Sequence, residues 1–424
     1  MDKDITTLIK SGAASGLKAV EIRDGAVDCL KPLVGGRFAL VVSDENCLKA
    51  GASALSRIGA CETLVFQKGV RADETAVETV RRALLDVEVI VALGSGTITD
   101  ICRYSAAAAN LPFISVPTAP SMDGYASSYA AMLFSGTRAP YPAKFPEAIV
   151  ADTRILCSAP RRMITAGLGE LLGAYPRLLD WKLDSLINGG DYCDEVAALV
   201  RAAVEDCFNT LTAANLYAPE GAGALARALI ISGARASGVK TGGSARHISR
   251  YIEMQRIFKK RPVPLYGEAV AVGALTLCGL YPLVAARVRS RMNIAVSFSQ
   301  KIWEQTVKEK YGPAASKLIK SERTLKRNSG EKRRARINKI YASAPQILEH
   351  LTADAVPDAV LNAYGALGGV TDYPQLSLTL KDVKDAVLYA KELRAVYTIL
   401  QMASDLNLLT GFAASLTKKE KREL

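Results

Sequence analysis

VEVIVALGSGTITD, residues 87–100, passes from an apolar run through two glycines into a segment with helical patterning. A short run rich in β-branched residues and closed by glycine reads as a buried strand, and strand, glycine turn and helix in succession are the unit of a parallel sheet. The unit recurs on both sides. FALVVSD (38–44) reads as a strand followed by a helix through about Leu55, and TLVFQ (63–67) as the next strand, with a helix from about Asp73 to Leu85. Beyond the glycines a helix runs to about Ala109, PFISVPT (112–118) is a fourth strand and AIVAD (148–152) one more. Nearly continuous apolar strands separated by helices predict a parallel sheet covered on both faces. From about Pro160 the pattern changes to Ala- and Leu-rich stretches with apolar residues three and four apart, as in DEVAALVRAAVEDCFNTL and AGALARALIISGARASG. The expected fold class is α/β: a Rossmann-like parallel-sheet domain over 1–154 and an all-α helical bundle domain over 155–424. A small molecule is expected where the carboxyl ends of the strands face the bundle.

Composition narrows the function. A chain of 424 residues exceeds one ordinary domain, and its 49% hydrophobic content is too rich for disorder. No stretch reaches the roughly 18 unbroken apolar residues of a membrane helix. The opening MDKDITTLIK has no apolar signal core, so the expected location is the cytoplasm. Eight cysteines occur singly, with no CxxC, which suits reduced thiols better than a disulfide framework or a zinc ribbon. The net charge of +12 is concentrated over 283–340, where KSERTLKRNSGEKRRARINK reads as a solvated helical arm or loop. A nucleic-acid patch is the sharper reading, but aromatics do not interleave with the charges, so neither a nucleic acid nor a membrane is an expected partner.

Two loops carry candidate cofactor chemistry. Gly94, Ser95, Gly96, Thr97, Ile98, Thr99 and Asp100 sit where a strand opens into a helix. Backbone N–H groups there can meet a pyrophosphate at the helix N-terminus, and a Cβ would block the approach. The run lacks the full GxGxxG spacing, so alone it is as well explained by a plain strand-to-helix turn. The next strand ends in Thr118, Ala119, Pro120, Ser121, Met122, Asp123 and Gly124, with Ser127 close behind. Small hydroxyl residues at a strand's carboxyl end suit ribose, phosphate or amide contacts, and Asp123 is placed to take a substrate hydroxyl. An Asp-Gly pair is also a common turn.

GSGTITD, the PTAPSMDG loop, APRRMITAGLGELLGAYPRLLDWKL and LKDVKDAVLYAKELRAVYTIL together resemble the sn-glycerol-1-phosphate dehydrogenases, relatives of glycerol dehydrogenase, the iron-containing alcohol dehydrogenases and dehydroquinate synthase. The resemblance covers nearly the whole chain and is loosest over 286–350. It implies the dehydroquinate synthase-like architecture, NAD or NADP as cofactor, a homodimer or larger assembly, and interconversion of dihydroxyacetone phosphate and sn-glycerol 1-phosphate. It assigns Gly96 to Asp100, Thr118 to Ser121 and Ser127 to the dinucleotide and Asp123 to the substrate. Asp44, ending the first of these strands, would lie near the adenosine ribose, which favours NAD over NADP.

The resemblance also implies a divalent metal, zinc or nickel, held by an aspartate and two histidines. Here the chain departs from its relatives. The family's G-x-G-D appears as Gly167-Leu168-Gly169-Glu170, a tolerable change of carboxylate. S-G-x-E-H-x-x-S-H becomes a segment in which Arg246 replaces the ligand histidine and Arg250 the later, substrate-contacting one. The third ligand motif, histidine then glycine, reads Tyr266-Gly267, and the usual lysine four residues after the ligand aspartate is Ala174. The whole chain has two histidines, His247 and His350. On a helix, residues 246 and 250 share a face and 247 points about 100° away. Guanidinium does not ligate a hard cation, so no metal is expected.

A bidentate pair of Glu170 with Arg246, with Tyr266 as a further partner, would fill the vacated place. That pair reads either as an inert plug or as a cationic site for a small anionic substrate. Two functions follow. One is a metal-free enzyme on a small phosphorylated or carboxylated compound, with Arg246 stabilising an oxyanion and Tyr266 or Asp123 handling the proton. The other is a catalytically silent paralogue that binds NAD(H) as a sensor or partner protein.

Overall fold

In the computed structural model, residues 3–10, 16–234 and 243–417 are described. Eight strands occur among them: β1 (Ala19–Arg23), β2 (Ala39–Asp44), β3 (Cys61–Phe66), β4 (Val89–Gly94), β5 (Phe113–Pro117), β6 (Tyr129–Phe134), β7 (Thr137–Pro142) and β8 (Ala148–Asp152). Six form one all-parallel sheet in the order β1-β8-β5-β4-β2-β3. β6 and β7 form a separate antiparallel hairpin.

Alternate residues of the central strands feed two different cores, which is why these strands read as unbroken apolar runs. Val41, Val89, Val91, Ile114, Val116 and Val150 pack with Val27, Leu30 and Ile58 on one face. Leu40, Val42, Ile90, Ala92 and Phe113 pack with Val80, Ile98, Ile101 and the hairpin's Met132 on the other. The dehydroquinate synthase-like expectation is met: a parallel sheet first, then helices, with no strand after β8 among the described residues.

Two compact units result. The first comprises Met1–Leu171, Asp194–Val239 and Ala366–Gly369; the second comprises Leu172–Cys193, Lys240–Gly365 and Val370–Leu424. This division runs differently from a cut at 154/155. The Pro219–Gly233 helix lies against β1, β8 and the Thr153–Cys157 helix, and its Ala222 and Ala226 share a core with Ala151 and Leu156. Helices after residue 154 thus complete the cover of the sheet.

In the second unit, the Ser244–Phe258 helix is surrounded by the Tyr266–Cys278, Leu380–Tyr389 and Ala174–Asn188 helices. The helical run Tyr266–Ser290 is long and apolar enough to cross a membrane by composition, and more than half of its most apolar window is buried in the protein.

The basic stretch departs from a solvated arm. It forms the Ala315–Leu325 and Gly330–Ala342 helices, and several of its arginines turn inward. Arg336 is buried and grips both carboxylate oxygens of Asp405 at 2.7 Å. Arg327 bonds Glu392 at 2.8 Å, and Arg333 donates to the carbonyls of Ser404 and Asp405. The planar guanidinium fork fits carboxylates and helix-end carbonyls that a solvated charge would leave unmet.

Candidate functional site

In the first unit, β4 ends at Gly94 and the Gly96–Ala108 helix begins at once, with Ser95 as its cap residue. The Ser95 side chain makes no capping bond, so the first N–H groups of the helix are left to another acceptor. Ser95, Gly96 and Thr97 reach the surface, while Ile98, Thr99 and Asp100 face inward. Ile98 fills the sheet core, Thr99 Oγ1 donates to the Ser95 carbonyl at 3.0 Å, and Asp100 accepts from Arg103 at 2.8 Å. Any contact of those three with a dinucleotide is therefore through the backbone. A Cβ on Gly96 would stand 2.7 Å from the sulfur of Met122, so the two cofactor loops lie against each other.

The second loop is held from two sides. A Cβ on Gly233 would overlap the carbonyl oxygen of Asp123, and one on Gly167 would overlap that of Pro120. Two helices thus press glycine faces onto the loop backbone, a closeness that any larger residue would prevent. Within the loop, Tyr125 donates its hydroxyl to the Ala119 carbonyl at 2.5 Å, and burial pushes the pKa of that phenol up, keeping it protonated. Thr118, Ala119, Pro120, Asp123 and Ser127 are buried, whereas Ser121 and Met122 are half-buried. Thr118 Oγ1 contacts Cys47 Sγ at 3.3 Å. Asp44 ends β2 and caps the Glu45–Ala50 helix: Oδ1 accepts from Asn46 and Cys47 N–H at 2.9 Å, and Oδ2 from the Cys47 thiol at 3.1 Å. Burial and the neighbouring carboxylate push that thiol up, keeping it protonated. Glu170 lies on the Arg161–Leu172 helix, three residues after Gly167, and is only 1% exposed.

The second unit holds the remaining candidates. Arg246 and Arg250 sit one turn apart on the Ser244–Phe258 helix, the first buried and the second half-buried. The helix entry is fixed by Asp180, which is fully enclosed: Oδ2 accepts from Ser244 N–H at 2.5 Å and Oδ1 from Ile399 N–H at 2.7 Å. Burial pushes the Asp180 carboxyl up to about 7 despite these donors. Gly273 lets the Tyr266–Cys278 helix approach, since a Cβ there would stand 2.8 Å from the Ala245 carbonyl. Ser249 Oγ donates to the Tyr266 carbonyl at 3.3 Å, tying the tyrosine's backbone to the arginine helix.

Neither histidine is placed for metal work. His247 is 1% exposed, neither ring nitrogen has a hydrogen-bond partner among the described residues, and burial beside Arg394, Arg250 and Arg327 keeps it neutral. His350 pairs its Nδ1 with Asp354 at 3.0 Å on the adjoining turn. Among the described residues no group of three or more His, Cys, Asp or Glu could hold an ion.

Sequence reasoning missed Arg103, Met122, Gly167 and Gly233 as builders of the loops. The one available signal was the Asp100/Arg103 spacing, three apart on a helix otherwise apolar at those turns.

The sequence family described as iron-containing alcohol dehydrogenase matches residues 22–160. The glycerol-1-phosphate dehydrogenase [NAD(P)+] of Bacillus subtilis (strain 168) is 33% identical over 278 residues, covering 62% of this chain and 70% of its own. That of Bacillus licheniformis is 29% identical over 349 residues, covering 81% and 74%. Among solved structures, a probable glycerol dehydrogenase from Sinorhizobium meliloti 1021 superposes with a TM-score of 0.61 at 16% identity, over 94% of this chain and 98% of that one. A sulfoacetaldehyde reductase from Bifidobacterium kashiwanohense, in complex with NAD+, gives 0.60 at 16% identity, over 95% and 97%. At such identities the structural likenesses speak for the fold alone.

Proposed function

The chain belongs to the glycerol-1-phosphate dehydrogenase family, and on that premise we propose that it is an NAD(P)-binding member acting without the family's metal on a small phosphorylated or carboxylated hydroxy or keto compound. The observation that carries this reading is the donor set. The two positions where relatives place ligand histidines hold Arg246 and Tyr266, and no alternative cluster of metal-binding side chains stands among the described residues. A permanently protonated guanidinium and a neutral phenol do not fit a divalent ion.

The dinucleotide fits. An uncapped helix start at Ser95, a partly exposed Gly96 and the largely buried Thr118–Asp123 loop, with Ser121 and Met122 reaching solvent, are the groups that would hold it. When bound, that cofactor supplies or accepts a hydride. The chain's own residues supply the rest: Arg246 is proposed to bind and polarise the substrate oxygen, Arg250 to attract its phosphate or carboxylate, and Asp123 or Tyr266 to hold the proton exchanged at that oxygen. Asp44, with its carboxylate at the end of β2, favours NAD over NADP because a 2′-phosphate would meet a fixed negative charge. The cytoplasm, where the free cysteines stay reduced, and a homodimer or larger assembly complete the reading.

Calorimetry with NADH and NADPH, beside metal analysis of protein purified without chelator, tests the proposal. NADH binding by metal-free protein is the expected result, and stoichiometric zinc or nickel, or failure to bind either dinucleotide, would end it. Binding without turnover on any hydroxy-phosphate favours the second reading, a catalytically silent NAD(H)-binding paralogue, which the same replacement of histidine by Arg246 supports.

A further inference from the structure

Among the described residues, Arg103 is the bulkiest side chain that solvent does not touch at all. It rises from the middle of the Gly96–Ala108 helix, whose first turn is the proposed dinucleotide site, and its bonds go elsewhere. One terminal nitrogen donates to Asp100 Oδ1 at 2.8 Å and to the Tyr129 carbonyl at 3.4 Å; the other donates to the Gly124 carbonyl at 2.6 Å and the Tyr125 carbonyl at 2.9 Å. The guanidinium also lies 5.6 Å from the centre of the Phe113 ring at the start of β5. Gly124 and Tyr125 form the turn that Asp123 opens, and Tyr129 begins the hairpin.

Burying a guanidinium is costly, and apolar residues of similar volume commonly stabilise a core as well or better. What a hydrocarbon cannot do is receive two consecutive carbonyls of a turn and a third from a strand while staying fixed to its own helix. Asp100 balances the charge, and the planar fork sets the angle between the partners.

We propose that Arg103 is a positioning residue: a single enclosed guanidinium locks the Asp123 turn to the dinucleotide helix, so that the substrate-facing and cofactor-facing loops keep one fixed separation. The inference rests on the reading of Asp123 as a substrate contact. It adds that the geometry of this contact is set from inside the sheet domain by a residue that touches no ligand.

Arg103→Lys keeps a positive charge beside Asp100 and removes the fork. Four quantities are read on the full chain: thermal midpoint, amide hydrogen exchange over residues 121–129, NADH affinity, and NADH-dependent reduction of dihydroxyacetone phosphate. Expected are exchange over 121–129 faster by about 10-fold or more with β4 unaffected, kcat lower by about 10-fold or more, and a smaller loss of NADH affinity, because Ser121 and Ser127 lie in the loosened segment while the Gly96 helix start does not. The paired variant Asp100→Asn/Arg103→Met removes both charges and guards against loss of folding from an orphaned carboxylate; it is expected to loosen the same segment. A lower thermal midpoint with exchange and kcat unchanged would make Arg103 merely structural and overturn the inference. Asp123→Asn separates the two ideas. If it leaves turnover intact while Arg103→Lys still loosens residues 121–129, the tether stands and the assignment of Asp123 falls.

Discussion

The cofactor loops of the first unit and the arginine helix of the second are built alike and have fared differently. Each is entered through a glycine-lined contact: Gly167 and Gly233 against the Asp123 loop, Gly273 against Ala245. Each is pinned by a buried ionisable side chain, Arg103 in one and Asp180 in the other. In the first region the sequence keeps the residues that the family resemblance assigns to a dinucleotide. In the second, guanidinium and phenol stand where the same resemblance leads one to expect imidazole. Packing constrains backbone position and is hard to alter piecemeal, whereas the group at the end of a side chain can change with little effect on the core around it.

Filling the glycine at position 233 should have the largest effect. Gly233→Ala drives a methyl into the Asp123 carbonyl, and a loss of about 3 kcal/mol of unfolding free energy is expected by denaturant titration. An open helical glycine is the control. Nothing lies within 4 Å of a Cβ at Gly411, so Gly411→Ala should stabilise by up to about 1 kcal/mol. Equal effects at the two sites would remove the close-packing argument for the first region.

Arg246→Ala sharpens the second region. Affinity for dihydroxyacetone phosphate or a similar anion should fall by about 10-fold or more, with NADH affinity nearly unchanged. Unaltered anion binding would leave Arg246 an inert filler.

A smaller effect concerns pH. Burial pushes the Asp180 carboxyl up to about 7 from its ordinary 3.8. The folded protein therefore binds a proton there more tightly than the unfolded chain. The stability this contributes is complete below the unfolded value and is lost as pH rises through about 7, by up to about 1.4 kcal/mol per unit. Asp180→Asn should flatten the dependence between pH 4 and about 7 relative to the parent. An unchanged slope would mean that Asp180 is not what makes the second region pH-sensitive. Last, Asp44→Asn should narrow the preference for NADH over NADPH by a few-fold, read by calorimetry.

Much of this was legible beforehand. The central strands announced themselves because burial on both faces forces unbroken apolar runs; FALVVSD and AIVAD fall within a residue of β2 and β8. β1 was missed because an edge strand of five residues is buried at only one, Val20. The hairpin was missed although Ser135 and Gly136 both take positive φ, the backbone that a tight two-residue turn demands. Local pattern also cannot say which helices cover which sheet, so the placement of Pro219–Gly233 on β1 and β8 was invisible. At the site, the exchanged ligands could be read directly from residue identity. The inward turn of Arg103 could not, because its partner carbonyls come from a loop more than twenty residues away. The arginines of 327–336 misled for the same reason: a charge run looks solvated until its carboxylates, here Glu392 and Asp405, arrive from far along the chain.

One rate comparison tests the metal-free site most directly: dihydroxyacetone phosphate-dependent oxidation of NADH by chelator-stripped protein, measured with and without added zinc or nickel. The expected result is that neither metal raises the rate. Turnover that appears or rises steeply only when one of these ions is supplied would contradict it, and would mean that the chain holds a metal with a donor set other than its relatives' histidines.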